Sequence, residues 1–144
     1  MTLIELLTVV LIVGIMSSVL IMRLGLPSIG NPGARAVARR LALDLRHARS
    51  LAIAQGVNHY VGFDANGSAL TGYTIYREAG ATDVAVESYR AFERGVTATG
   101  AATRAEFEPG GTALAGYSFI VTGPTQSYTV TVIAATGTTT VSGP

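Results

Sequence analysis

LIELLTVVLIVGIMSSVLIM, running from Leu3 to Met22, decides how the rest of the chain is read. Glu5 is the one charge in an otherwise apolar run, and Arg23 closes it. Twenty helical residues reach about 30 Å, the thickness of a bilayer core. The pattern predicts a membrane or filament-core helix over 1–24, with Arg23 placed to snorkel into headgroups. A cleavable secretory signal has a basic region, a shorter apolar core and a small-residue cleavage site, a pattern this stretch does not show. Glu5 is the anomaly, because a carboxylate in an apolar helix is costly without a partner. Two readings are open for it. It is either an interfacial helix-end residue favoured by the N-terminal dipole, or the partner of a positive charge on another chain. The free α-amine of a neighbouring Met1 would serve.

Composition excludes more than it assigns. A chain of 144 residues has a one-domain length. Hydrophobic residues make up 49% and charged residues 13%, too apolar for an ordinary soluble domain. The excess sits in the front end and in a Val/Thr/Ala-rich tail. A net charge of +1 gives no argument for a polyanionic partner, and all ten basic residues are Arg. Cysteine is absent, which excludes disulfides, thiolate metal sites and a cysteine nucleophile. His47 and His59 stand alone, and no HExxH, Walker loop or nucleophile elbow occurs. Asp64, Asp83, Glu87, Glu106 and Glu108 are scattered over turns and strand edges, where solvated carboxylates belong. No catalytic residue, metal site or cofactor is expected, and the chain reads as something other than an enzyme.

Behind Arg23, Gly25, Pro27, Gly30, Pro32 and Gly33 crowd together. Proline removes amide donors and disfavours helix in the residue before it. A non-helical linker is expected over 25–33, either a joint that lets the domain reorient or a fixed, packed kink. A globular domain over 34–144 follows, opening with a helix over 34–55. Val37, Leu41, Leu45, Ala48 and Ala52 form one apolar stripe at helical period, and Gly56 stands at the C-cap. Arg35, Arg39, Arg40, Arg46 and Arg49, with Asp44 and His47, occupy the other side. Three readings are open: a nucleic-acid or anionic-lipid contact, a solvated face with Asp44 paired to Arg40 one turn away, or salt bridges between subunits.

From 57 to 142 the pattern is β-rich. Val57 to Asp64 and Leu70 to Arg77 flank an Asn66-Gly67 turn signal and so predict a hairpin. Asn66-Gly67-Ser68 also matches a glycosylation acceptor, although the turn needs those residues in any case. Strands are expected at Val84–Phe92, Ala105–Glu108, Ala115–Thr122, Ser127–Ala134 and Thr138–Val141. Tyr128, Val130 and Val132 alternate with Thr129 and Thr131, a period of two with one buried face. The layout is α+β, an amphipathic helix packed on an antiparallel sheet.

Met1-Thr2-Leu3-Ile4-Glu5-Leu6 resembles the mature N-terminus of type IV pilins and pseudopilins, with Met1 where Phe is usual. The helix around Ala48-Arg49, the following Gly56 and strand, and Phe107-Glu108-Pro109-Gly110-Gly111-Thr112 narrow the resemblance. They look like the H-type pseudopilins of type II secretion and the related FimT-like minor pilins. The resemblance implies that prepilin peptidase cuts a short basic leader before position one and that the new N-terminus is methylated. It implies that Glu5 pairs with the amine of an adjacent subunit, and that identical subunits grow into a filament on an assembly platform. Before assembly the subunit would sit in the inner membrane. Relatives tied to DNA binding carry basic tail residues, whereas Gly137-Thr138-Thr139-Thr140-Val141 has none, so DNA is not the favoured partner. Three functions are weighed: an extracellular pilus subunit, a minor subunit of a periplasmic secretion pseudopilus, and a DNA-uptake receptor using the Arg-rich helix.

Overall fold

The computed structural model describes residues 3–25, 32–80 and 82–144. They fall into two compact units, Met1–Pro32 and Gly33–Pro144. In the first, α1 spans Leu3–Gly25, 23 residues. Its described side chains are exposed, apolar ones included: Leu3 is 84% exposed and Leu7 61%. Thr8 Oγ1 donates to the Ile4 carbonyl at 2.8 Å, which satisfies the hydroxyl within the helix. Among the described residues no helix is long and apolar enough to cross a membrane, although the backbone of α1 has the length.

The second helix, α2, spans Pro32–Gln55, and all of it from Gly33 on belongs to the second unit. The helix starts two residues before the expected Ala34, because proline is tolerated in a first turn whose amides lack partners anyway. Gly25 ends α1, while Pro32 and Gly33 belong to α2, so both ends of the stretch expected to be non-helical over 25–33 are helical, and 26–31 lie outside the described residues. Pro27 and Gly30 lie outside the described residues. At the other end the Gly56 amide donates to the Ala52 carbonyl at 3.0 Å, with Gly56 at φ 67. That left-handed cap requires glycine.

The strands are β1 (His59–Asn66), β2 (Ala69–Arg77), β3 (Val84–Ala85), β4 (Arg90–Ala91), β5 (Thr97–Gly100), β6 (Arg104–Phe107), β7 (Tyr117–Thr122), β8 (Ser127–Val132) and β9 (Thr139–Ser142). They make one sheet in the order β6-β1-β2-β5-β7-β8-β9, with β3 and β4 paired to β2. Every pairing is antiparallel. Asn66 pairs with Ala69, so the two-residue turn is Gly67-Ser68 rather than Asn66-Gly67. Gly67 takes φ 66 and no other residue of that turn has positive φ, the arrangement of a glycine-first hairpin turn.

The strand expected over Val84–Phe92 is broken in two. The amides of Val86 and Glu87 both point at the Ile75 carbonyl, at 2.9 and 3.5 Å, and register slips between β3 and β4. This bulge turns Glu87 and Arg90 towards α2. The core is one apolar cluster that joins α2 to the sheet. Leu41, Leu45, Ala48 and Ala52 have no exposed surface, and Phe107, Phe119, Val121 and Val130 pack with them. Phe63 and Phe119 meet at 4.5 Å between ring centroids. The stripe foreseen on α2 and the alternation foreseen on β8 are both the buried faces.

Candidate assembly site

Two surfaces carry the residues singled out above. On α1, Glu5 lies in the first helical turn, exposed and flanked by exposed Ile4 and Leu6. An apolar helix surface is unfavourable in water and is stabilised by an apolar cover. Met1 lies outside the described residues. The carboxylate thus stands on an apolar surface, and under an apolar cover a charge that lacked a counter-charge would be costly.

The arginine face of α2 divides into two halves. Arg46 Nη2 donates to the Thr139 carbonyl at 2.7 Å, and Arg49 Nε donates to the Gly111 carbonyl at 2.7 Å. These two are clamps of the fold. Arg49 lies so close to Gly111 and Gly137 that a Cβ on either would meet its guanidinium, at 3.2 and 2.9 Å. The Ala48-Arg49 pair and the Phe107–Thr112 element, far apart in sequence, are therefore two sides of one joint. Thr112 Oγ1 donates to Glu108 at 2.7 Å and holds that turn closed. Side-chain pattern could not reveal the clamp, since its acceptors are backbone carbonyls. Arg35, Arg39 and Arg40, in contrast, are exposed and make no hydrogen bond or ion pair among the described residues.

Asp44 does not pair with Arg40. It accepts from Arg90 Nη1 with both oxygens, at 2.9 and 2.8 Å, and from the Tyr73 hydroxyl at 2.7 Å. Arg90 stands opposite Tyr73 across the β2–β4 pair, which delivers it to the nearly buried carboxylate. Its second amine donates to Glu87 at 2.5 Å, and His47 Nε2 lies 3.4 Å from the same carboxylate. Burial, and then the bond to Asp44, push the Tyr73 hydroxyl well above the ordinary tyrosine range. Burial works against the Arg90 charge, but Glu87 and Asp44 outweigh it and raise its pKa. The helix is thus pinned to the sheet by a satisfied ionic knot.

A second cluster gathers acids that look scattered in sequence. Glu78, Asp83 and Glu106 lie 3.3, 3.9 and 3.1 Å from Arg104. The Nε–Glu106 approach is short but too poorly aligned for a hydrogen bond. Arg104 covers the Tyr60 ring at 3.7 Å, and Tyr60 stacks on Tyr76. The Tyr60 hydroxyl donates to Asp83 at 2.7 Å. Burial and then that carboxylate push its pKa up to about 12, although Arg104 acts the other way. Three carboxylates thus surround one arginine at this end of the sheet, with Arg77 beside them on β2.

A two-unit chain of this kind, an apolar helix plus an α+β head, defines the pilin class of filament subunits. The family model of Type II transport protein GspH matches residues 37–137, and the chain belongs to that family. Its fold is also that of two solved proteins. The minor pseudopilin EpsH from the Type 2 Secretion System of Vibrio cholerae superposes with a TM-score of 0.64 at 16% identity. The match covers 78% of this chain and 98% of that one. The type IV minor pilin FimU of Pseudomonas aeruginosa superposes with a TM-score of 0.61 at 16% identity, covering 76% of this chain and 96% of that one. A second crystal form of FimU gives 0.63 at 18% identity, covering 76% and 91%. No curated protein sequence matches the chain.

Proposed function

We propose that the chain is a structural subunit of a type IV pilus-like filament, held in the inner membrane by α1 until assembly. The observation that carries this reading is α1, apolar in sequence and exposed at its described side chains, with Glu5 near its start. Packed against copies of itself, α1 becomes the filament core, and Glu5 pairs with the N-terminal amine of a neighbour. The pair is favourable only when both charges meet, so it sets register. Prepilin peptidase would prepare the N-terminus, and an assembly platform would extract the subunit from the membrane. The head faces outwards as a structural surface, not a catalytic one, and family membership supports that role.

The test is electron microscopy of sheared surface filaments with mass spectrometry of their bands. This chain in the filament, starting at a methylated Met1, is the expected result. A chain absent from every filament and pseudopilus fraction sinks the reading. The family match favours a second reading, a minor subunit of a periplasmic secretion pseudopilus. Loss of protein secretion on deletion, with surface pili intact, selects it. Direct DNA capture is the least supported role, because the tail after Arg104 has no basic residue and Arg46 and Arg49 are committed to backbone carbonyls, which leaves only Arg35, Arg39 and Arg40 on that face.

A further inference from the structure

The outward face of α2 is cationic and is centred on a leucine. Leu43 is 60% exposed, and Arg39, Arg40, Arg46 and His47 stand at its neighbouring helix positions, three and four residues away. Arg46 keeps its bond to Thr139 and His47 faces Glu87, while Arg39 and Arg40 have no hydrogen bond or ion pair among the described residues. Arg35, one turn before Arg39, has none either. Two grooves run beside them. One, of 370 Å³, is lined by Ala42, Leu43 and Val141 together with Arg39 and Arg46. The other, of 190 Å³, is lined by Arg35 and Arg39 with Tyr128, Val141, Gly143 and Pro144. Guanidinium groups and apolar surface thus lie side by side.

A guanidinium fork matches a phosphate with two parallel bonds. The head's own acids offer it little. Asp44, Glu78, Asp83, Glu87, Glu106 and Glu108 each already accept a bond within the head. An exposed leucine among cations fits a ligand that joins phosphate to hydrocarbon, and the headgroup region of a bilayer is such a ligand. A duplex presents its phosphates without an apolar layer beneath them. Chain length keeps this face near a bilayer that holds α1. Residues 26–31 join Gly25 to Pro32, and a chain of that length reaches at most about 25 Å. Arg35, Arg39 and Arg40 lie within about 12 Å of the start of α2.

We infer that the outward face of α2 is a docking surface for anionic phospholipid, with Arg35, Arg39 and Arg40 on lipid phosphates and Leu43 in the interface beneath them. The docked head rests on the bilayer until the subunit is withdrawn from it. The attraction is between charges at a wet surface, so salt weakens it. This inference rests on the membrane-held reading of α1 above.

The full chain has no cysteine, so a single engineered one takes the only label. The full chain is reconstituted in phosphatidylcholine vesicles with and without phosphatidylglycerol, with a fluorophore at Leu43→Cys and a quencher on the lipid headgroups. Ile120→Cys is the matched control. Ile120 is 45% exposed, and its neighbours Phe119 and Val121 are buried with α2, so it points away from that helix. The expected result is quenching at position 43 that requires phosphatidylglycerol, fades with salt and is absent at position 120. Arg39→Gln and Arg40→Gln are each expected to lower the docked-to-free ratio about fivefold. An unchanged melting temperature shows that these variants fold. Equal quenching at both positions, or quenching indifferent to phosphatidylglycerol and to the arginine variants, overturns the inference. Self-quenching of the position 43 label between crowded chains, without quenching by lipid, assigns the face to a second copy and also overturns it. Displacement of the lipid by duplex DNA does the same. In each of these cases, flotation of the chain with the vesicles leaves the reading of α1 standing. A chain that floats with neither kind of vesicle overturns both.

Discussion

The two helices are nearly equal in length, 23 residues in α1 and 24 in α2, yet they meet different covers. α2 has one apolar stripe, and its own sheet buries it completely. α1 is apolar all round and exposed along its described length. An amphipathic helix can be satisfied inside one domain, whereas an apolar cylinder needs neighbours on every side. The contrast separates folding from assembly: α2 belongs to the stability of the head, and α1 to what the chain joins.

The strongest way to break the contrast is to shave both helices. Leu45→Ala removes a fully buried side chain and is expected to cost about 3 kcal/mol in urea unfolding of the head. Leu7→Ala, on the exposed surface of α1, is expected to leave that transition unmoved. Equal losses would show that the two units are not separate. Gly137→Ala comes next, at about 2 kcal/mol, since a left-handed backbone and a Cβ placed 2.2 Å from the Gly111 carbonyl work together. Thermal melting checks it, with loss of β9 protection in hydrogen exchange. Arg49→Ala leaves the Gly111 carbonyl without its donor, and a loss of about 1.5 kcal/mol is expected by the same melting assay.

A smaller effect is set by pH. The hydroxyls of Tyr60 and Tyr73 titrate higher in the folded state than the unfolded value near 10, Tyr60 at about 12. The unfolded chain releases those protons first, so stability is full below pH 10 and falls as pH rises towards 12. Tyr60→Phe flattens that decline in a urea series at high pH. Glu5→Gln closes the sequence: no change in head stability, with reduced incorporation into sheared filaments. A destabilised head in that variant would contradict the division of labour.

Legibility in the sequence followed the range of the forces involved. The α2 stripe and the β8 alternation show in the chain because each is a local period imposed on one buried face. β5 went unforeseen: Thr97-Ala98-Thr99-Gly100 has no apolar alternation. It is a strand because buried Ala98 meets Leu70 and Gly100 lies under the Phe119 ring, where a Cβ would stand 2.5 Å from the ring. The partner of Asp44 is not the one that helical spacing offers, for a related reason. Arg40 is one turn away and solvated, while Arg90 arrives across the sheet with Tyr73 and shares a drier site.

The apolar front helix with its single carboxylate, the amphipathic second helix and the hairpin pattern are written in spacing along the chain. They survive any tertiary arrangement because they arise from backbone period and side-chain polarity. Which arginines hold the fold and which stay exposed is not written there. That division arose when Gly111 and Thr139 brought their carbonyls to Arg49 and Arg46. Backbone acceptors leave no mark in a residue pattern, and only the closing of the sheet against α2 put them within reach.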